Sequence, residues 1–371
     1  MISFLKKQVR KFIEYRWNIK ARHLLACRDL NSKYMNATKP LTKDQVDKVT
    51  KFWGQYIKNK YAKNSFNIKW FDIYNSVNFN DNRLEYYIPD DFYYCFVDAY
   101  YSNPQAAKVV DNKNMYDMFF NDIKQPKTIA RKINGLYMNP KYEIISEDKL
   151  IELCLKAENI IIKKSINSVG GKGIEFWDKN DSIDELKKYI TNISDFVIQE
   201  IIKQHQDISR INESSINTIR IVTFIYNDKI NVLSSILRMG VNGMRVDNAS
   251  SGGIACGINK SGRLNRYATD IKAKVHFKHP SSGIDFEEIV IPNFDKCIAL
   301  VKKLAPRFYN ISKLISWDLS VGIDGEPILI EVNLTYGDLS IHQTTNGPIF
   351  GDMTEEILHD VTKNSYFISQ N

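Results

Sequence analysis

The stretch LISWDLSVGIDGEPILIEVN, residues 314–333, decides the fold. Asp324-Gly325 lies between two runs of alternating apolar residues, which is a strong signal for a β-hairpin with a two-residue turn. A turn of that length fixes which residues of the two strands face each other. The apolar pairs on one face are then Trp317 with Val332, Leu319 with Ile330, and Val321 with Ile328. This face must pack on the core of the protein.

The other face of the same hairpin carries the chemistry. Its register sets Asp318 opposite Glu331, and Asn333 shares their face opposite Ser316. Cross-strand Cβ atoms lie about 4.5–5.5 Å apart, and carboxylates that close repel each other unless a cation or a shared proton intervenes. Two carboxylates and an amide oxygen suit Mg²⁺ together with phosphate oxygens. A solvated polar face remains the alternative, and a glycosidase pair leaves Asn333 without a role.

A second motif is the segment ENIIIKKSINSVGGKGIEFWD, residues 158–178. An apolar strand ends at Lys163, a loop with Gly170, Gly171 and Gly173 follows, and an apolar strand returns. Such a loop lets backbone N–H groups approach phosphates, and a lysine at the strand end can bind one. The pattern differs from GxxxxGK[ST], so it is no P-loop. A flexible hairpin with solvated lysines is the alternative.

Composition places the chain among globular proteins. It has 371 residues, 43% hydrophobic and 25% charged, so disordered and low-complexity classes are excluded. No apolar run reaches the 18 residues or so of a membrane span, and the N-terminus lacks the apolar region of a signal peptide. The five dispersed cysteines contain no CxxC, which excludes a disulfide framework or a cysteine zinc site and favours the cytoplasm.

Basic charge is concentrated at the N-terminus. Eight of the 51 basic residues but only two of the 43 acidic ones lie in residues 1–30. The rest of the chain is close to neutral, so its bulk charge argues against nucleic-acid binding. Residues 2–22 also have apolar side chains at helical spacing. Two interpretations stay open for this basic amphipathic helix: peripheral contact with an anionic membrane, or docking on the protein with a solvated basic face.

The remaining pattern predicts an α+β protein with a mainly helical N-terminal portion. Residues 42–121 have helical periodicity, and strands alternating with short helices follow from about residue 127. Asn227-Asp228 indicates a hairpin turn. Six of the 17 glycines lie within residues 240–262, which indicates irregular backbone near a ligand or in a loop.

The order of these motifs resembles the ATP-grasp superfamily. The resemblance implies two α+β subdomains that grip ATP. It divides the chain into a helical region (1–104), a subdomain with the glycine-rich lid (105–195) and a C-terminal subdomain with the metal-binding hairpin (196–371). The implied magnesium ligands are Asp318, Glu331 and Asn333, the set that the hairpin register gives independently.

The resemblance also implies a nucleotide site. Two lysines would hold phosphates, the glycine loop would close on them, the strand at 199–202 would read adenine, and an acidic residue would bind the ribose. These residues are Lys113, Lys163, Ser168, Gly170, Gly171, Gly173, Gln199, Glu200, Ile202 and Asp207.

Within the superfamily, the pieces SINTIRIVTF, RMGVNGMRVDNASSGGIACGI, SWDLSV and IEVNLTYGDLSIHQ are similar to sugar-transfer-associated ATP-grasp proteins, which are linked to capsule and O-antigen synthesis. NASSGG resembles the substrate loop of glutathione-synthetase-like ligases. The implied substrate residues are Asn248, Gly252, Gly253, Arg245 and Gln343. D-alanine–D-alanine ligases carry an arginine two residues before the first metal aspartate, where this chain has Ser316. Arg220 and Arg238 are therefore the candidates for the catalytic arginine that faces the oxyanion.

The function that the resemblance implies is an ATP- and Mg²⁺-dependent, ADP-forming ligase. It would join a small carboxylate and an amine through an acyl phosphate, one partner being a sugar or glycan of a cell-surface polysaccharide. The expected location is the cytoplasm, at the inner membrane face if the N-terminal helix binds lipid. Two alternatives remain: a non-catalytic ATP-binding module and an ATP-grasp kinase.

Overall fold

The computed structural model describes residues 20–58, 62–63, 65–79, 83–157, 159–166 and 173–364. Most of the predicted basic helix at 2–22 lies outside these residues, as do Ser168, Gly170 and Gly171 of the predicted lid. Within the described parts of the chain, every helix is too short or too polar to cross a bilayer.

The described strands form two antiparallel sheets. The small sheet has the order β2-β1-β5-β3-β4 and the large sheet the order β10-β9-β8-β7-β6-β11-β12. The strands are β1 (Thr128–Ile133), β2 (Leu136–Met138), β3 (Asn159–Lys164), β4 (Ile174–Asp178), β5 (Phe196–Glu200), β6 (Thr218–Tyr226), β7 (Lys229–Met239), β8 (Ile254–Ile258), β9 (Leu264–Asp270), β10 (Val275–His276), β11 (Leu314–Val321) and β12 (Pro327–Asn333).

Helices surround both sheets and dominate the N-terminal part, which confirms the predicted α+β class. Residues 20–34 are helical. The other α-helices of four or more residues are Lys43–Gly54, Lys69–Val77, Asp98–Tyr101, Pro104–Ala107, Tyr116–Phe119, Glu147–Leu155, Ile183–Asn192, Gln206–Ser209, Phe294–Leu304, Leu339–Asn346 and Thr354–Asn364. Side chains cap several of them: Ser182, for example, accepts a hydrogen bond from the backbone N–H of Glu185.

The buried apolar side chains among the described residues form three cores. One lies between the small sheet and the helices Glu147–Leu155 and Ile183–Asn192, and a second lies under the large sheet. The third joins aromatic residues of the N-terminal helices, such as Trp53, to Phe224 and Leu314 of the large sheet and to Leu358. The helical region is thus packed on the large sheet, while its division from the rest at residue 104 stays a prediction.

Arg22 shows that part of the N-terminal basic charge is structural. Its side chain is buried, donates to the carbonyl oxygen of Tyr94 at 2.6 Å and lies 3.4 Å from a carboxylate oxygen of Asp98. Lys33, at the other end of the same helix, is also buried and donates to Ser340 Oγ at 2.5 Å. These two cations therefore hold the protein together and are not free to meet a membrane.

The hairpin at 314–333 has the predicted register where it matters for chemistry. Asp318 pairs with Glu331, and their neighbours Ser316 and Trp317 pair with Asn333 and Val332. The other two predicted pairs are wrong, because Leu319 faces Leu329 and Val321 faces Pro327.

Two departures from the predicted geometry cancel each other in this hairpin. The turn has a three-residue loop, since Gly322 N donates to Glu326 O and Gly325 N donates to Gly322 O. Within this turn only Gly325 has a positive φ, of +77°. This shifts the register by one residue. A β-bulge at Ile330 shifts it back before Glu331. Leu329 consequently enters the core in place of Ile330.

Candidate functional site

A cleft of ≈ 250 Å³ lies between the two sheets. The small sheet and the segment after β5 form one wall, and the large sheet with the loop at 245–248 forms the other. The lining includes both apolar and polar or charged residues. The apolar ones include Ile161, Phe176, Ile202 and Ile330, and the polar or charged ones include Lys163, Glu200, Glu213, Arg245, Asp247 and Asn248. The bulge thus turns Ile330 into the cleft, whose lining mixes apolar side chains with a comparable number of polar and charged ones.

Five of the residues selected from the sequence line this cleft: Lys163, Glu200, Ile202, Arg245 and Asn248. Glu200 also accepts a hydrogen bond from Lys127 Nζ at 2.6 Å. Gln199, one residue earlier on β5, is instead buried and donates to the carbonyl oxygen of Pro126. The cleft is therefore lined by the consecutive residues Glu200, Ile201 and Ile202 at and after the end of β5, and Gln199 is not among its lining residues.

The predicted ribose ligand Asp207 does not line the cleft. Its side chain is 62% exposed, and its carboxylate lies 3.7 Å from His205 Nδ1. The acidic residue that lines the cleft in this region is Glu213. The choice of Asp207 rested on its distance along the chain from β5. That distance does not show that Asp207 lies in a short helix, Gln206–Ser209, which turns the chain before it reaches Glu213.

Asp318 is the centre of a buried ion-pair network. Arg220, its neighbour on β6, donates from Nε and Nη2 to the two carboxylate oxygens at 2.7 and 2.8 Å. Arg238 on β7 donates from Nη1 to one of these oxygens at 3.3 Å. Arg220 also bonds Asp338, and Arg238 bonds Asn248. The two arginines therefore connect Asp318 to Asp338, in the segment after β12, and to Asn248, in the segment after β7.

Opposing effects act on the pKa of the Asp318 carboxyl. Burial alone raises it, but the adjacent Arg220 guanidinium outweighs burial, and the pKa is lowered from its usual value. Asp318 also raises the pKa of Arg220, against the effect of burial. Asp318 is thus an anion at neutral pH although only 3% of it is exposed.

Two lysines lie beside the second carboxylate. Lys113 donates from Nζ to Glu331 Oε1 at 2.7 Å, and both side chains are partly shielded. Lys163, at the end of β3, has its pKa lowered to about 8, chiefly by burial and then by the charge of Lys113. The positive charges of Lys113 and Lys163 therefore lie beside the negative charge of Glu331 on β12.

The hairpin residues Asp318, Glu331 and Asn333 could offer oxygen ligands to a divalent cation. Glu331 and Asn333 are half-buried, and Asn333 Nδ2, a donor that cannot itself bind a cation, is buried with no hydrogen-bond partner among the described residues. The described residues contain no group of three or more His, Cys, Asp or Glu side chains that could hold a metal ion. Lys113 and Arg220 already neutralise the carboxylates, so their closeness alone does not require a metal.

Two glycines shape the predicted substrate loop. Gly252 has φ +98°, a conformation that side chains disfavour. A Cβ on Gly253 would lie 2.5 Å from the carbonyl oxygen of Asp247, so the chain passes itself closely there. The loop thereby brings Asp247 and Asn248 to the cleft beside Arg238. One carboxylate oxygen of Asp247 is buried with no partner among the described residues. The sequence analysis selected Asn248 as a substrate residue but missed its neighbour Asp247.

Gln343, predicted as a substrate residue, is buried and bonded to backbone groups of the protein. Its side chain is 1% exposed; Nε2 donates to Ile88 O at 2.8 Å, and Oε1 accepts from the backbone N–H groups of Ile88 and Ile349. Gln343 therefore ties the helix Leu339–Asn346 to the N-terminal region. Its neighbour His342 is fully buried beside Ser234, and burial together with Arg220 lowers its pKa to about 3.

Packing accounts for the serine at position 316. A Cβ on Gly337 would lie 2.3 Å from Ser316 Oγ, so the backbone at Gly337 rests directly on this serine. A longer side chain at position 316 would collide with it. The segment Leu334–Asp338 fills this space, and its Asp338 binds Arg220 instead.

Several solved structures are similar to the chain at low sequence identity. D-alanyl-alanine synthetase A from Vibrio cholerae shares 12% identity, with a TM-score of 0.44 over 70% of this chain and 67% of that one. D-alanine–D-alanine ligase from Bacillus anthracis shares 18%, with a TM-score of 0.38 over 70% and 69%. An L-amino acid ligase from Bacillus licheniformis shares 13%, with a TM-score of 0.39; the match covers 68% of this chain but only 47% of that one.

A comparison with curated proteins gives no match. A family model, described as sugar-transfer associated ATP-grasp, matches residues 95–358. That range includes both sheets and all the residues of the ion-pair network described above. The chain belongs to the sugar-transfer associated ATP-grasp family.

Proposed function

We propose that the protein is an ATP- and Mg²⁺-dependent ligase that joins a carboxylate to an amine through an acyl phosphate. One of the two substrates is a sugar or glycan used in cell-surface polysaccharide synthesis, and the other is an amino acid or a similar small molecule. The observation that carries the proposal is the charge arrangement at the end of the cleft. Lys113 and Lys163 lie beside Glu331, and Arg238 lies between Asp318 and Asn248.

The cleft suits the nucleotide. Apolar side chains such as Ile202, Phe176 and Ile330 can enclose a base, and Glu213 can accept hydrogen bonds from ribose hydroxyls. Lys163 lies on the same wall and would bind phosphate oxygens with Lys113. Asp318, Glu331 and Asn333 would hold Mg²⁺, which when bound neutralises charge on the phosphates.

These residues would position the substrates for two reaction steps. A carboxylate oxygen of the acid attacks the γ-phosphorus, and the bond to the bridging oxygen breaks, which gives an acyl phosphate and ADP. The amine nitrogen attacks the carbonyl carbon, phosphate leaves and the amine loses a proton. A closed cleft must exclude water, because an acyl phosphate hydrolyses.

The two arginines have different roles in this scheme. Arg220 has Nε, Nη1 and Nη2 bound to Asp318 and Asp338, so it is a positioning residue. Arg238 makes a longer contact with Asp318 and reaches the substrate loop, so it is the better placed of the two to stabilise the oxyanion.

Trapping with hydroxylamine tests the proposal. The protein is incubated with ATP, MgCl₂, hydroxylamine and either an amino acid or a uronic acid from a panel, and both ADP and hydroxamate are measured. A ligase gives ADP and hydroxamate in equal amounts, dependent on one acid, because hydroxylamine captures the acyl group. The reaction without acid is the control.

Two results would overturn the proposal in favour of the alternatives. ADP with a phosphorylated hydroxyl product and no hydroxamate would identify a kinase. Calorimetric binding of ATP without ADP formation for any pair of acid and amine in the panel would identify a nucleotide-binding module.

A further inference from the structure

The segment Leu334–Asp338 lies directly after the hairpin and is held in a costly conformation. Tyr336 and Asp338 both have left-handed backbone, with φ +58° and +55°. A bulky aromatic residue at positive φ is an outlier, and such residues persist only where the surrounding structure enforces them. Asparagine or glycine would adopt this backbone more easily than tyrosine.

Contacts on three sides fix this segment. The backbone N–H of Tyr336 donates to the buried carboxylate of Asp98. Gly337 rests on Ser316, which lies two residues before Asp318. Asp338 binds Arg220, which in turn holds Asp318. Tyr336 is therefore fixed rigidly beside the centre of the site.

Tyr336 is nevertheless 47% exposed as a residue. It stacks against Tyr94 with centroids 5.9 Å apart and planes at 29°, and the guanidinium of Arg22 lies 4.8 Å from its centroid. Tyr94 is itself anchored, because its hydroxyl accepts a hydrogen bond from the backbone N–H of Leu339. A rigid aromatic ring with free surface beside a site can contact a ligand at little entropic cost.

We infer that Tyr336 is the platform on which a pyranose ring of the sugar substrate packs, with its C–H groups against the tyrosine ring. The inference deepens the proposed function and rests on it for the reaction that follows. Tyr336 is absent from the lining of the cleft between the sheets, so this contact is separate from the proposed nucleotide cavity. The segment thus sets which substrate reaches Asp318, and Tyr336 determines specificity.

The test separates the ring from the strained backbone. Tyr336→Gly removes the ring and relieves the positive φ, whereas Tyr336→Phe keeps the ring. Tyr309→Ala is a matched control, because Tyr309 is 52% exposed and also has a cation, Lys313 Nζ, 5.3 Å from its ring centroid, but has an ordinary φ of −55°. The probes are glucuronic acid and glucosamine, observed by saturation-transfer NMR with the full chain, and adenosine as a competing aromatic probe.

We expect sugar ring protons to receive saturation in the wild type, Tyr336→Phe and Tyr309→Ala, and to lose it in Tyr336→Gly. If ligase activity is found, the KM for the sugar should rise about tenfold in Tyr336→Gly with the KM for ATP unchanged. No sugar signal in the wild type, an unchanged signal in Tyr336→Gly, or displacement of the sugar by adenosine would overturn the inference. Failure of the ligase proposal gives a different result. The wild-type protein would then form no hydroxamate, but the sugar protons would still receive saturation in the NMR experiment.

Discussion

The two sheets that form the walls of the cleft differ in how they balance charge. On the large sheet, Asp318, which is not among the residues that line the cleft, is bound by Arg220 and Arg238, and all three side chains are almost completely buried. On the small-sheet wall, Lys163 has another cation, Lys113, as its strongest charged neighbour, and burial lowers its pKa to about 8. One wall is neutralised within the protein, and the other carries positive charge that an anion can balance.

This difference indicates how the site divides its work. Buried charges that are paired and hydrogen-bonded hold a fixed geometry before any ligand arrives. A desolvated lysine gains most when a phosphate supplies the opposite charge. The large sheet therefore provides a fixed frame, and under the proposed function the small sheet would gain stabilisation when a nucleotide binds. Substitutions on each sheet test this division.

Asp318→Asn should abolish most activity and weaken the fold. Without the negative charge of Asp318, the buried positive charges of Arg220 and Arg238 are no longer fully balanced. This should lower the free energy of unfolding by about 3 kcal/mol or more. We expect kcat to fall at least about 100-fold. Calorimetric unfolding and ADP release measure the two effects.

Asp324→Asn is the control for this change, because Asp324 lies at the tip of the same hairpin and makes an exposed pair with Lys124. It should leave kcat unchanged. An equal loss of activity in both variants would show that the hairpin matters only for folding.

Lys163→Ala should weaken ATP binding by about 10- to 100-fold, which is the contribution of a charge-assisted hydrogen bond. Lys164→Ala is the matched control on the same strand, since Lys164 is absent from the cleft lining. Isothermal titration calorimetry with a non-hydrolysable ATP analogue compares them. Equal affinities in the two variants would contradict a phosphate contact by Lys163.

ATP affinity should also depend on pH through Lys163. Below pH 8 the amine is protonated in the free protein and affinity should be constant. Above about pH 8 the free protein loses this proton, so affinity should fall by up to about tenfold per pH unit. Titrations from pH 7 to pH 9.5 measure the effect, and Lys163→Arg should remove it because arginine stays charged.

Arg245→Ala should have the smallest effect. Arg245 connects the two walls, with Nη1 3.1 Å from Asp178 Oδ2 and its guanidinium 4.1 Å from the Phe176 ring centroid. Both ionic side chains are well exposed, so the pair should contribute less than about 1 kcal/mol to unfolding free energy. A double-mutant cycle with Asp178→Ala measures the coupling. A coupling well above this value would mean that the walls are locked together without ligand.

The two long hairpins show how far sequence reasoning reached. At Asn227-Asp228 both residues have positive φ, of +47° and +56°, and the predicted two-residue turn is confirmed. At Asp324-Gly325 the turn type is wrong, yet Asp318 still faces Glu331 because the bulge at Ile330 compensates. Local residue types favour a turn, but loop length and bulges also depend on packing against neighbouring strands.

The roles of Asp207, Glu213 and Gln343 could not be read from spacing. Asp207 and Glu213 are six residues apart, and only the path of the chain between β5 and β6 decides which one meets the cleft. Gln343 follows the hairpin closely in sequence, but the N-terminal region covers it. Contacts between distant parts of the chain decide burial, and one sequence does not contain them directly.

The residue pattern was sufficient to predict the alternation of elements and the three oxygen-bearing side chains of the hairpin, because strand periodicity and turn residues are local properties. The family followed from the resemblance of the ordered motifs. Tertiary structure alone decided that arginines from β6 and β7 neutralise Asp318 and that Asp98 fixes Tyr336 beside it. Those arrangements join residues up to 238 positions apart, and only the packing of the helical region and the strands on one another brings their charges within range.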